Sequence, residues 1–178
     1  MLQKDNRYRI LRMFFADPLP DGIGFQLREI GRRVDVAPAS VKKYLTDLEN
    51  EGLIIREKHR IHGYPVYYAN RDNEYFKFLK RLDTVISIRE SGLLEYLSDE
   101  CMPDVIVLFG SAAKGEDLRD SDLDIFLQCK KAELNLGRFE KILERRINPL
   151  FGNFNELSKE LKNNILNGIM LKGYLKVF

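Results

Sequence analysis

The sequence predicts an α+β chain of two blocks joined by a helix, and three observations predict it. Up to about residue 51 the apolar residues recur at helical spacing. From Leu53 the period shortens to that of two strands around a turn. After Pro103, two short apolar runs, DVIVLF and LDIFLQ, flank a polar loop, as buried strands of an α/β unit do. The expected blocks are residues 1–72, a linker helix over 73–100, and residues 101–178.

Each element has its own warrant. Residues 5–16 read as a helix with Ile10, Leu11, Phe14 and Phe15 on one side. DPLPDGIG (17–24) is dense in breakers and reads as a loop. Residues 25–34 read as a second helix, with Phe25, Leu27, Ile30 and Val34 apolar. Pro38 suits a first helical position, and the third helix is expected from there to Glu51, closed by Gly52. LIIREKHR and GYPVYYAN read as strands around His62-Gly63. Residues 73–90 return to helical period, and Tyr75, Leu79, Leu82 and Ile86 form a stripe expected to be buried against a neighbouring domain, with a dimer seam as the other use. Residues 93–99 add a short helical piece. Helices are expected over 133–146 and 156–168, with INPLF (147–151) a short strand between them; IMLKGYLKVF is open between helix and strand.

Composition narrows the function classes. The 178 residues are 44% hydrophobic, enough for a core, and carry 29 basic against 27 acidic side chains. A uniformly basic coat is excluded, so any nucleic-acid contact must come from a local patch. Residues 1–72 hold thirteen basic and ten acidic residues, which puts the small excess at the N-terminal end. Two cysteines, Cys101 and Cys129, make no disulfide framework; with two histidines, a Cys/His zinc site is not expected. The cysteines read as small core hydrophobes, and Tyr64, Tyr67 and Tyr68 as packing under the hairpin. No apolar run is long enough for a membrane span, and MLQKDNRYRI lacks a leader's apolar stretch. The expectation is a soluble, cytoplasmic protein with no membrane partner.

QLREIGRRVDVAPASVKKYLTDLENEGLI (26–54), followed by the hairpin, resembles a winged helix-turn-helix. Val41, Leu45 and Leu48 face inward at i, i+4 and i+7, which leaves Ser40, Lys42, Lys43 and Thr46 toward the other side. The resemblance implies a recognition helix that enters the major groove, and the lysines add a salt-dependent phosphate term. Lys58 and Arg60 on the hairpin would meet the adjacent backbone. Double-stranded DNA is the expected partner; a protein-interaction role is the other use of such a block. The histidines of the hairpin carry no catalytic weight.

LFGSAAKGEDLRDSDLDIFL (108–127) carries the chemistry. Gly110-Ser111, ten residues, then Asp122-Leu123-Asp124 is the G-S-x10-D-x-D pattern, and it resembles the DNA polymerase beta-like nucleotidyltransferases, in particular the minimal prokaryotic ones. The spacing also makes chemical sense by itself. Residues at i and i+2 of a strand point to one face, so Asp122 and Asp124 read as catalytic, metal-holding carboxylates. Oxygen ligands of this kind suit Mg2+ (or Mn2+) with phosphates completing the shell. Gly110 permits close backbone approach to a phosphate. Ser111 offers a hydroxyl and an N–H, and Ser121 and Lys114 complete the expected nucleotide-binding set.

The sequence departs from the family at one place. Active members usually carry a third carboxylate on a later strand; that strand reads as 147–151, and the position holds Asn148. An amide cannot take up a proton near neutral pH. Glu144 is expected on the preceding helix. Two functions follow. The leading one is a Mg-dependent enzyme that transfers NMP from an NTP to an unidentified hydroxyl, which the resemblance allows to lie on a partner protein. The other is a DNA-binding regulator whose nucleotidyltransferase domain is degenerate and only binds nucleotide or mediates assembly, including as a homodimer.

Overall fold

The computed structural model describes residues 5–20 and 23–176. Residues 1–4, where the segment expected to lack a leader begins, residues 21–22 of the 17–24 loop, and residues 177–178 lie outside the described residues. The chain divides into two compact units, Met1–Lys80 and Arg81–Phe178.

The first unit opens with α1 (Asn6–Ala16), capped by Asp5, whose side chain accepts from the Tyr8 N–H at 2.8 Å. Its buried face is Ile10, Leu11, Phe14 and Phe15, as the spacing predicts. The helix expected over 25–34 is shorter. Phe25 and Gln26 form a two-residue strand, β1, and α2 (Leu27–Val34) starts after them. Phe25 pairs with Tyr67 across the sheet and packs edge-to-face on Phe14, 5.5 Å between centroids. A two-residue strand has no period to read, so in the sequence its aromatic reads as part of the helix that follows. Asp35, at φ 52°, ends α2 in the left-handed region. Then α3 (Pro38–Asn50) begins on its proline and buries Val41, Leu45 and Leu48. Gly31 permits this tight pairing: a Cβ there would lie 3.0 Å from the Val36 carbonyl oxygen and 3.7 Å from Val41.

The hairpin is β2 (Ile54–Lys58) and β3 (Pro65–Ala69), and the antiparallel sheet order is β1-β3-β2. Next comes α4 (Glu74–Glu90), and here the expected stripe is corrected. Tyr75 is 55% and Leu82 43% exposed, whereas Phe76 and Ile88 are buried. The stripe is covered only in part: Leu79 packs half-buried on the first core and Ile86 is half-buried, while Phe76 anchors the first core and Ile88 the second.

The second unit continues through α5 (Leu93–Cys101), β4 (Val105–Phe109), α6 (Gly110–Lys114), β5 (Leu123–Leu127), α7 (Gly137–Leu143) and β6 (Ile147–Phe151). A 3-10 turn (Phe154–Glu156), α8 (Lys159–Leu166) and β7 (Ile169–Gly173) complete it. The sheet order is β6-β5-β4-β7; β4 runs antiparallel to β5 and β7, and β5 parallel to β6. The expected α+β composition and mixed sheet are therefore present.

All five residues of β4 are buried because both faces are covered. Ile106 and Leu108 join the cluster with Leu93, Leu94 and Leu97; Val105, Val107 and Phe109 join Phe154 and Ile165. Three expectations are adjusted. The segment expected to be all loop after β4 begins with the helical turn α6. The helices at 133–146 and 156–168 shrink to α7 and α8. The open C-terminal segment begins as strand β7, paired to β4. Among the described residues, no helix is long and apolar enough to cross a membrane.

Candidate functional site

The sheet of the second unit brings distant motifs together at one strand end. In the register, Phe109 stands opposite Asp124, and Asp124 opposite Asn148. Gly110 therefore leaves β4 beside the Asp124 carboxylate. Its φ is +76°, and a Cβ at that position would lie 2.5 Å from Asp124 Oδ2. The left-handed backbone favours glycine here, and a Cβ would also displace the Asp124 carboxylate from its present place. Ser111 follows in α6, half-buried, and Lys114 is exposed at that turn's end.

Asp124 lies on β5, half-buried between buried Leu123 and Ile125. Asp122 lies one residue before the strand begins and is exposed, so the two carboxylates sit at the strand's entry rather than both within it. Asn148 Nδ2 donates to Asp124 Oδ1 at 2.8 Å. The position expected to carry a third carboxylate is thus next to Asp124, and its amide fixes one oxygen of that carboxylate. Glu144, expected on the preceding helix, lies just past its end as the left-handed cap of α7 at φ 53°. Ser121 Oγ accepts from the Leu118 N–H at 2.9 Å, which closes a turn ahead of Asp122 and leaves the hydroxyl proton to donate.

Sequence reasoning missed what lies beneath this loop. Arg145, between α7 and β6, donates from Nε to the Ser121 carbonyl at 3.0 Å and from Nη2 to the Asp122 carbonyl at 3.2 Å. Its Nη1 lies 3.0 Å from Asp117 Oδ2, and the Asp117 side chain is 4% exposed. A lone arginine and an aspartate inside a charged loop carry no spacing signal; only the β5–β6 pairing makes them neighbours.

Among the described residues no group of three or more His, Cys, Asp or Glu is arranged to hold a metal ion. The hard-oxygen donors at the site are the two carboxylates Asp122 and Asp124. Burial raises the Cys101 thiol, and burial followed by the neighbouring Cys101 pushes Cys129 up to about 11. Both thiols stay protonated near neutral pH; of the two expected core hydrophobes, Cys129 packs half-buried against the second unit's core and Cys101 is half-buried outside the core clusters.

In the first unit, Ser40, Lys42, Lys43 and Thr46 are all exposed on α3, opposite Val41, Leu45 and Leu48. Thr46 Oγ1 donates back to the Lys42 carbonyl at 3.0 Å. Lys58, the last residue of β2, and Arg60, in the turn, are exposed as well. His59 Nδ1 accepts from the Ile61 and His62 N–H groups at 3.2 Å each, so this histidine builds the hairpin turn. Tyr68 donates to Glu57, and that bond, ahead of burial, pushes its phenol up to about 12. Tyr67 is buried, as the packing reading expects.

Residues 90–170 match the family model described as a nucleotidyltransferase domain. The match spans α5 through α8 and contains Gly110, Ser111, Asp122, Asp124 and Asn148, while the first unit lies outside it. Neither the curated proteins nor the solved structures give a significant match to the chain.

Proposed function

We propose that the second unit transfers a nucleoside monophosphate from a nucleoside triphosphate to an acceptor hydroxyl, and that the first unit is a winged helix that binds double-stranded DNA. The observation that carries the transferase reading is the packing of the Gly110 backbone against the Asp124 carboxylate. It joins the two halves of the motif at one strand end. The match of residues 90–170 to a nucleotidyltransferase domain supports it further.

The donor set fits a hard divalent cation such as Mg2+ or Mn2+: Asp122 and Asp124 would hold it, with places left for phosphate oxygens and water. Bound there, the ion would neutralise phosphate charge and polarise the phosphoryl group. The chain's own residues do the rest. Ser111 hydrogen-bonds the triphosphate, Ser121 offers a second hydroxyl proton, and Lys114 supplies positive charge. Asn148 holds Asp124 in one orientation. The acceptor oxygen bonds to the α-phosphorus, the α–β phosphoanhydride breaks, and pyrophosphate leaves with the electron pair. Asn148 cannot accept the hydroxyl proton, so that proton passes to water, to the acceptor or to a partner protein.

Asn148 also favours a second reading, a DNA-binding regulator whose site keeps nucleotide but turns it over little. Pyrophosphate release separates the two. The transferase reading expects Mg2+-dependent release from a nucleoside triphosphate, lost in Asp122→Ala and Asp124→Ala and faster in Asn148→Asp. Nucleotide binding with no release in either the wild type or Asn148→Asp would leave the regulator.

A further inference from the structure

Asp122 is the exposed member of the carboxylate pair, and it stands outside the strand ladder. Something other than sheet pairing must hold its backbone. The Leu118–Ser121 turn fixes the residues ahead of it, with Leu118 N–H to Ser121 Oγ at 2.9 Å and Ser121 N–H to the Leu118 carbonyl at 3.0 Å. Below that turn lies the Arg145 guanidinium, 15% exposed as a side chain, engaged with three oxygens of the 117–122 segment. Two are the backbone carbonyls of Ser121 and Asp122; the third is the Asp117 carboxylate.

Arg145 is itself fixed at both ends. Its N–H donates to the Glu140 carbonyl at 3.1 Å, and the carbonyl of the next residue, Arg146, accepts from Leu123 N–H at 2.8 Å. Glu140 Oε1 accepts from Ile147 N–H at 3.0 Å. The start of β6 is thus tied through one planar side chain to the entry of β5. A guanidinium can serve three directed acceptors at once; an ammonium on a flexible stem cannot hold the same plane.

We propose that Arg145 is a positioning residue of the nucleotide site: it sets the direction of the Asp122 carboxylate through the Ser121 and Asp122 carbonyls, and Asp117 sets Arg145. The proposal rests on the reading of Asp122 and Asp124 as the cation-holding pair. Groups that orient a metal's ligands commonly change its affinity by about 10- to 100-fold when removed.

The test is Mn2+ affinity by titration of the paramagnetic ion on the full chain, with hydrogen exchange of residues 118–123 alongside. Arg145→Gln is expected to weaken Mn2+ by about tenfold or more. It is also expected to speed exchange at 118–123 while β4 amides keep their protection. Arg145→Lys should recover only part of the affinity. Asp117→Asn, which keeps the volume, should weaken Mn2+ in the same direction and serves if Arg145→Gln fails to fold. Because Arg145 acts through Asp122, adding Arg145→Gln to Asp122→Ala should lower the residual affinity no further. A wild type that holds Mn2+ through Asp122, with Arg145→Gln and Asp117→Asn within twofold of it, overturns the positioning role alone. An additive loss in the double variant overturns it too, since it marks a general structural effect. A wild type that binds no Mn2+ overturns the cation-site reading and this role with it.

Discussion

Gly110 is the residue on which the site turns. At φ +76° and with Asp124 Oδ2 in the place of a Cβ, no other residue fits without moving the carboxylate. Gly110→Ala is expected to cost roughly 1–2 kcal/mol from the left-handed backbone alone. Urea unfolding would show this as a lower midpoint at unchanged slope, and nucleotide affinity should fall with it. The neighbouring amide of Asn148 explains how Asp124 stays oriented: a hydrogen bond from a neutral group replaces the repulsion a third carboxylate would bring. The candidate site was partly legible in the sequence. Gly110, Asp122 and Asp124 stand out by spacing and residue chemistry, and Asn148 only through the resemblance to the nucleotidyltransferases. Asp117 and Arg145 do not, because their contact depends on a strand pairing and on rotamers that no periodic pattern encodes.

At the scale of the element, α3 has one buried face and one exposed face. Leu45 is 1% exposed, and its truncation to Ala is expected to cost about 2–5 kcal/mol. Lys42 and Lys43 are exposed, and Lys42→Ala with Lys43→Ala should leave stability within about 0.5 kcal/mol per site. If the first unit binds DNA through this helix, the same pair should flatten the salt dependence of affinity, the slope of log K against log salt changing by about 1.8. Duplex titration at several salt concentrations reads this directly; an unchanged slope removes α3 from the interface. Long elements with a clear period, such as α1 and α3, were readable because burial and period agree. The two-residue β1 and the single turn α6 were not, being shorter than the window in which any period can be recognised. On α4 the expected stripe is half covered, with Leu79 packed on the first core and Tyr75 and Leu82 exposed. Phe76 and Ile88, which are not members of that stripe, are the buried anchors.

At the scale of the whole molecule there are two compact units: a helical block with a three-stranded sheet, and a mixed four-stranded sheet that gathers a glycine, two aspartates and an asparagine at one end. Parallel pairing of β5 with β6 is what makes Asn148 a neighbour of Asp124; an antiparallel β6 would have placed a different residue there. The central claim is that this strand end binds a nucleoside triphosphate with a divalent cation. Calorimetric titration of the four ribonucleoside triphosphates with Mg2+, on the wild type and on Asp122→Ala/Asp124→Ala, tests it most directly. The account predicts Mg2+-dependent binding of at least one triphosphate by the wild type and its loss in the double variant. Binding of none of the four by the wild type, or equal binding by the variant, would contradict it.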